Sequence, residues 1–267
     1  MIVLAIGDIY GKTGRKLIEK QLSALRKKLN PDWVIANGEN ATGGTGLSAK
    51  HRDEILKSGV DVITTGNHVF ARPDWPDVLS TTRQVLRPHN IGGDSFPGCG
   101  LVIMEAKDRP PIAVMNLAGR IFMEPAGSPF SWAEKLISRV PAGIPILLDF
   151  HAEATSEKIA MAWGLDGKVA AVVGTHTHVQ TSDERILPGG TAAITDLGMT
   201  GPRDGILGVE KKTVLDLFQQ GFSDRFSCAP GPGIMEGVHL EIGDDGKATT
   251  IRRLRITEGE TNRPAVE

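Results

Sequence analysis

Seven residues whose side chains can bind a metal ion each follow closely on a short apolar run. Asp8 comes after the first such run, and Glu39 and Asn40 come after the second, within Asn37-Gly38-Glu39-Asn40. Asn67 follows the third, in Gly66-Asn67-His68. His151 closes a run that begins at residue 144, and His176 and His178 follow 169–173 in Gly174-Thr175-His176-Thr177-His178. Neutral imidazole nitrogen combined with carboxylate and amide oxygen is a mixed donor set, suited to divalent iron, manganese, zinc or cobalt rather than to a magnesium cage. His176 and His178 are expected in extended backbone, where residues i and i+2 face one side, so both rings would enter one site.

Each position also has an ordinary explanation. Asp8 could cap the helix that follows Lys12, and the Asn- and Gly-rich stretch after Asn37 could be a plain turn. His51, His89 and His239 are read as core or surface histidines, because none of them follows a strand. A turn, however, does not call for Glu, Asn and His at successive strand ends, so the set is read as a site. A second motif competes with it: Gly7-Asp8-Ile9-Tyr10-Gly11-Lys12-Thr13 follows a strand and opens a helix, like a phosphate loop of a nucleotide triphosphatase. Its glycines enclose three residues where that loop needs four, and Asp8 would aim a carboxylate at the phosphates. Lys12 is accordingly placed on the helix surface.

The elements that position these residues alternate between buried strands and amphipathic helices, which defines an α/β fold. Strands are expected at 2–6, 33–36, 60–64, 112–115, 144–148 and 169–173. Leu17, Gln21, Leu22, Leu25 and Leu29 recur at helical spacing and predict a helix over 12–29, stopped by Asn30-Pro31. Ser48 is expected to cap a helix over 49–58, and Thr155 one over 156–163. Beyond Thr175 the alternation weakens. Gly and Pro are frequent over 188–208, a short amphipathic piece covers 210–218, and 238–242 with 249–256 read as a hairpin completing a second sheet or an edge. One domain over 1–256 is expected, with a frayed polar tail over 257–267. In open α/β sheets the carboxyl ends of the strands form the ligand crevice, so segments far apart in sequence converge there.

Bulk composition narrows the function classes. No apolar run approaches the roughly 18 residues of a membrane span, and the N-terminal run precedes its Lys, the reverse of a signal peptide. Cys99 and Cys228 form no paired-cysteine pattern, so neither a disulfide framework nor a thiolate zinc site is expected and a reducing cytoplasm is. Thirty basic residues against 32 acidic ones leave a net charge of -2, too little field to hold long nucleic acid. Aromatic residues total 5%, which also argues against an extended base-stacking surface. Small phosphate-bearing substrates remain.

The strand-end series resembles the calcineurin-like metallophosphoesterases, and within them the YmdB-like branch. The motifs that carry the resemblance are Gly7-Asp8-Ile9 with Gly11-Lys12, 35–41, Gly66-Asn67-His68, Asn116-Leu117 with Gly119-Arg120, 149–155, 174–180 and 195–201. It spans roughly residues 2–255. The superfamily's usual His two after the first Asp is Tyr10 here, its usual bridging Asp is Glu39, and Val69 stands where an acidic residue often follows Gly-Asn-His.

The resemblance implies a layered fold of mixed sheets flanked by helices. It also implies two divalent transition-metal ions, iron or manganese first, zinc or cobalt next. One would be held by Asp8, Glu39, Asn40 and His178 and the other by Glu39, Asn67, His151 and His176, with Glu39 as the bridge. Asn40 would replace the ligand missing at Tyr10. A water shared by the two ions would attack phosphorus, and His68 would serve as the catalytic acid. The activity implied is hydrolysis of phosphodiesters, in particular cyclic nucleotides such as 2′,3′-cyclic AMP, by a cytoplasmic homo-oligomer. Substrate loops are expected at 119–130 and 198–208, and short RNA is a further substrate class. The contrasting reading is a regulatory or RNA-associated metal-binding protein with little catalysis.

Overall fold

The computed structural model describes residues 1–124, 126–259 and the backbone of 265–266. The chain begins in one sheet, crosses to a second and returns. Strands β1 (Ile2–Ile6), β2 (Asp8–Ile9), β3 (Trp33–Asn37) and β4 (Val62–Thr64) start the first sheet. Strands β5 (Leu101–Ala106), β6 (Arg109–Ala118), β7 (Ile146–His151), β8 (Ala171–Thr175), β9 (Arg185–Ile186) and β10 (Ala192–Ile194) make the second. Strands β11 (Met199–Pro202), β12 (Gly233–Ile242), β13 (Ala248–Thr257) and β14 (Ala265–Val266) complete the first. Its order is β14-β13-β12-β1-β3-β4, with β11 joining β12 to β2, and the second sheet runs β5-β6-β7-β8-β10-β9.

Period-two alternation explains how the sheets stack. Val3 and Ala5 of β1, Trp33 and Ile35 of β3, and Val238 and Leu240 of β12 point to one face of the first sheet. They meet Val114 of β6, Leu147 of β7 and Ala171 and Val173 of β8 from the second sheet in one buried cluster. The intervening residues point outward and are covered by helices. Leu4, Ile6, Val34 and Ala36 pack under Leu17, Ile18, Leu22 and Leu25 of α1 (Gly11–Leu29) and Ile55 of α2 (Ala49–Lys57). Val78 and Leu79 of α3 (Trp75–Ser80) extend that layer. On the far side, Met115, Leu117, Leu148 and Phe150 pack under Leu136 of α4 (Pro129–Ile137) and Met161 of α5 (Thr155–Gly164). The result is four layers, helix on sheet on sheet on helix, and each large apolar side chain buried this way contributes about 1.5–3 kcal/mol.

Helix α1 ends as its sequence demands: Asn30 adopts a left-handed φ of 46° and donates its N–H to the Arg26 carbonyl, and Pro31 follows. Ser48 caps α2 by accepting from the His51 N–H. Thr155 does not cap α5. It is the first helical residue, and Ala154 occupies the cap without a side-chain bond. The β12–β13 hairpin is not part of the second sheet: β12 lies between β13 and β1, paired antiparallel to both, and among the described residues β13 forms the edge of the first sheet except where Leu254 and Arg255 meet β14. The expected amphipathic piece is α6 (Lys211–Gln220), capped by Glu210. Of the expected tail, Thr257 still belongs to β13, Glu258 bonds Lys20, and residues 260–264 and 267 lie outside the described residues.

Candidate metal centre

The face of each sheet that carries the shared apolar cluster turns polar at the carboxyl ends of its strands. Along β7 the same-side series is Leu147, Asp149, His151; along β8 it is Val173, Thr175; along β3 it is Ile35, Asn37. These residues are all buried, and the site is built where the dry layer stops.

Asp8 arrives there because the backbone bends at Gly7. A Cβ on Gly7 would lie 2.1 Å from the Gly198 carbonyl oxygen, so only glycine fits, and β2 then pairs with β11 rather than continuing β1. Asp8 is fully buried. Its Oδ2 accepts the His176 N–H at 3.2 Å, while Oδ1 has no hydrogen-bond partner and the nearest cationic candidate, His178 Nε2, stands 3.7 Å away. Asp8 is not the cap of α1, whose cap position is Tyr10.

Four donor atoms converge on one point. His151 Nε2 lies 3.1 Å from Asn67 Oδ1, 3.2 Å from Glu39 Oε1 and 3.0 Å from His176 Nδ1. The ligand atoms of Glu39, His151 and His176 all lie within 4.8 Å of one another. Beside them, His178 Nε2 lies 3.2 Å from Asn40 Oδ1. All seven residues expected at the site are therefore brought to one place, in two neighbouring groups linked through Asp8 and His176.

The outer nitrogen of each ring is engaged by a partner that leaves the inner one free. His151 Nδ1 meets Thr175 Oγ1 at 2.9 Å, and that hydroxyl donates to Asp149 Oδ1 at 2.6 Å. His176 Nε2 meets Glu153 Oε2 at 3.1 Å, and His178 Nδ1 meets the Leu207 carbonyl at 3.1 Å. Asp149 is itself saturated by Asn37 at 3.1 Å and by Thr64.

The donor set fits a cation for a physical reason. With the outer nitrogens donating, neutral imidazoles, a carboxylate and an amide oxygen would present only lone pairs to one another, so a metal ion, or in its place a proton on His151, must sit among them. The orphaned Asp8 oxygen adds a charge whose burial costs several kcal/mol when uncompensated. Burial opposes ionisation of Glu39, but the charge and hydrogen bond of His151 and the His68 N–H hold it down to about 2. Burial likewise opposes charge on His151, yet Glu39, Asp8 and Asp149 push it up to about 9. Asp8 is pushed up to about 7 by burial, against the pull of His178 and His151, and His176 is lowered to about 4 by burial and by the charge of His151. Positive charge is drawn to this point. The space is also cut for it: a Cβ on Gly66 would stand 2.2 Å from both Glu39 Oε2 and His151 Nε2.

One expectation needs correction, and further residues join the site. His176 and His178 are not in extended backbone: β8 ends at Thr175, and the two residues have φ of 102° and 63°. They reach the site through a left-handed turn and fall in different donor groups. That turn is held by Asp196, whose Oδ2 accepts from Thr177 N at 3.1 Å and Oγ1 at 2.7 Å and pairs with buried Lys158 at 2.8 Å. Tyr10, in the position of the usual His, is no ligand. Its buried ring stands edge-on to His178 at 5.6 Å and packs with Met199, Val209 and Val214. Asp149, Glu153 and Asp196 lie in motifs that carry the family resemblance, and Asp149 also stands two before His151 in β7, whereas Lys158 carries no local signal.

His68 enters through its backbone, whose N–H donates to Glu39 Oε2 at 3.1 Å, and its side chain is half-buried beside Asn67. The phosphate-loop alternative fails on geometry: Lys12 is exposed on α1, and Asp8 points into the donor cluster. Among the described residues no helix is long and apolar enough to cross a membrane.

Known proteins resemble this chain over nearly its whole length. A 2′,3′-cyclic-nucleotide 2′-phosphodiesterase of Bacillus subtilis (strain 168) is 44% identical over 260 residues, covering 97% of this chain and 98% of that protein. A crystal structure of a novel phosphatase from Mycoplasma pneumoniae superposes with a TM-score of 0.90 at 35% identity, covering 96% of this chain and 93% of the other. The fold alone extends to a 5′-nucleotidase precursor from Thermus thermophilus, at 11% identity and a TM-score of 0.59 over 96% of this chain and 54% of that one. The profile of the YmdB-like proteins matches residues 4–254, and this chain, with its layered metallophosphoesterase fold, belongs to that family.

Proposed function

We propose that the protein hydrolyses phosphodiesters, with 2′,3′-cyclic nucleotides as its substrate class, at two divalent metal ions. The convergence of Glu39, Asn67 and His176 on His151 Nε2, next to the orphaned Asp8 oxygen, is the observation that carries this reading. Glu39, Asn67, His151 and His176 would hold one ion and Asp8, Asn40 and His178 the other, with Glu39 shared; the mixed donors suit iron or manganese. When bound, such a pair supplies Lewis acidity toward the phosphoryl oxygens and an activated water.

The chain's own residues do the rest. Two carboxylates, Asp8 and Glu39, offset only half of the charge of two divalent ions, so the centre attracts an anionic ester. Thr175, Glu153 and the Leu207 carbonyl fix the ring orientations, so little reorganisation is needed as charge develops. His68, beside Asn67, donates a proton to the departing 2′ oxygen, leaving the phosphate on the 3′ oxygen.

The test is metal analysis of the purified protein joined to turnover of adenosine 2′,3′-cyclic phosphate with added manganese. Two ions per chain and release of adenosine 3′-monophosphate are expected. A fully loaded protein that leaves cyclic nucleotides intact would overturn the substrate reading.

A further inference from the structure

Beside the donor cluster opens a cavity of about 340 Å³ lined by Asn67, His176, Phe122, Met123 and Glu124. Two of these residues belong to the metal centre and three to the loop that follows β6. In that loop Phe122 is 88% exposed, with its backbone at a left-handed φ of 61°. A bulky residue rarely adopts that conformation, and a bare phenyl ring in water forfeits the free energy it would gain by burial.

The loop is nevertheless anchored. Glu157, buried at the start of α5, accepts the backbone N–H groups of Arg120 at 3.1 and 3.0 Å and of Ile121 at 3.2 Å. Gly119 makes this approach feasible, since a Cβ there would stand 2.6 Å from both Ala152 Cβ and Glu157 Oε2. A buried carboxylate thus holds in place a loop whose end displays an unpacked ring over the cavity that reaches Asn67 and His176. Strain and exposure of this kind point to a ligand that covers the ring.

We propose that Phe122 stacks on the base of the cyclic nucleotide and so separates nucleotide diesters from smaller phosphate esters. The inference rests on the hydrolase reading above and names its specificity element. A phosphate held at Asn67 and His176 leaves the remainder of the substrate in the cavity that Phe122 lines. One ring serves one base, in keeping with a chain too poor in aromatic residues to carry a stacking track for a polymer.

The experiment compares adenosine 2′,3′-cyclic phosphate with 1-O-methylribose 2′,3′-cyclic phosphate, which lacks a base, in the manganese-loaded wild type and in Phe122→Ala and Phe122→Trp. Stacking predicts that Phe122→Ala lowers the ratio of kcat/KM values, base-bearing over baseless, by about tenfold, chiefly through KM, and that Phe122→Trp restores it. Calorimetric binding of adenosine 3′-monophosphate should weaken by a similar factor in Phe122→Ala. Equal losses on both esters, or unchanged binding of the mononucleotide, would overturn the role of Phe122. A wild type that binds adenosine 3′-monophosphate through Phe122 but hydrolyses neither ester would instead overturn the hydrolase reading.

Discussion

The layer between the two sheets has two regions built on the same strands and opposite in chemistry. Toward the middle of the strands Val3, Ile35, Leu147 and Val173 make a dry interior. Two residues further along, on the same faces, stand Asn37, Asp149 and Thr175, and beyond Asp149 stands His151. In the first region contacts are interchangeable and non-directional, so stability follows buried area. In the second, every polar atom needs a partner of the right kind, and the Asp8 oxygen that has none marks where the protein holds charge for a ligand instead. The strands give position, and the change from apolar to polar residues along them decides where packing ends and chemistry begins.

The contrast between the two regions is tested most severely at Glu39. Glu39→Ala is expected to lose one or both metal ions and essentially all turnover, read by elemental analysis beside a diesterase assay; unchanged metal content would remove its bridging role. His68→Ala should keep its metal and lose about 10²- to 10⁴-fold in kcat. Equal loss of metal would place His68 among the ligands. Leu147→Ala tests the other region: a stability loss of about 2–5 kcal/mol in urea, with metal stoichiometry intact, is expected for a cavity in the dry layer. If that variant lost metal while remaining folded, the two regions would not be separable.

Smaller effects bear on the boundary itself. Thr175→Val keeps the shape of the side chain and removes the hydroxyl that holds His151 Nδ1, so metal affinity should fall about 10- to 100-fold. Asp196→Asn should produce a similar loss by loosening the turn that carries His176 and His178, visible as an altered ratio of the two ions bound. Acidification acts on the same groups. His151 is raised to about 9 and Asp8 to about 7, so both bind protons that a cation must displace. Metal affinity should therefore fall by about 100-fold or more from pH 8 to pH 6, measured by competition with a chelator.

Much of this was legible in the amino-acid order. Strand ends could be read from apolar runs, and the donors after them from residue type, because both are local properties. Asp149 was not singled out, because the strand was expected to stop at 148; β7 runs on to His151, and its two-residue period puts Asp149 on the side of that ring. Strand order was not legible: β12 pairs with β1 across most of the chain, and nothing in the hairpin's own residues says that it joins the first sheet. The left-handed turn at His176 and His178 was missed for a related reason. It is imposed by Asp196 and Lys158, which are distant in sequence and whose effect on that backbone is tertiary. Thr155 failed as a cap because it is the first residue inside α5, one place past the position where an N-cap side chain acts.

The central claim is that the polar end of the inter-sheet layer is a two-metal centre, and anomalous diffraction from crystals grown with manganese tests it directly. Two peaks flanking Glu39 are expected, one among Asn67, His151 and His176 and the other among Asp8, Asn40 and His178. A single peak, or peaks away from these side chains, would contradict it.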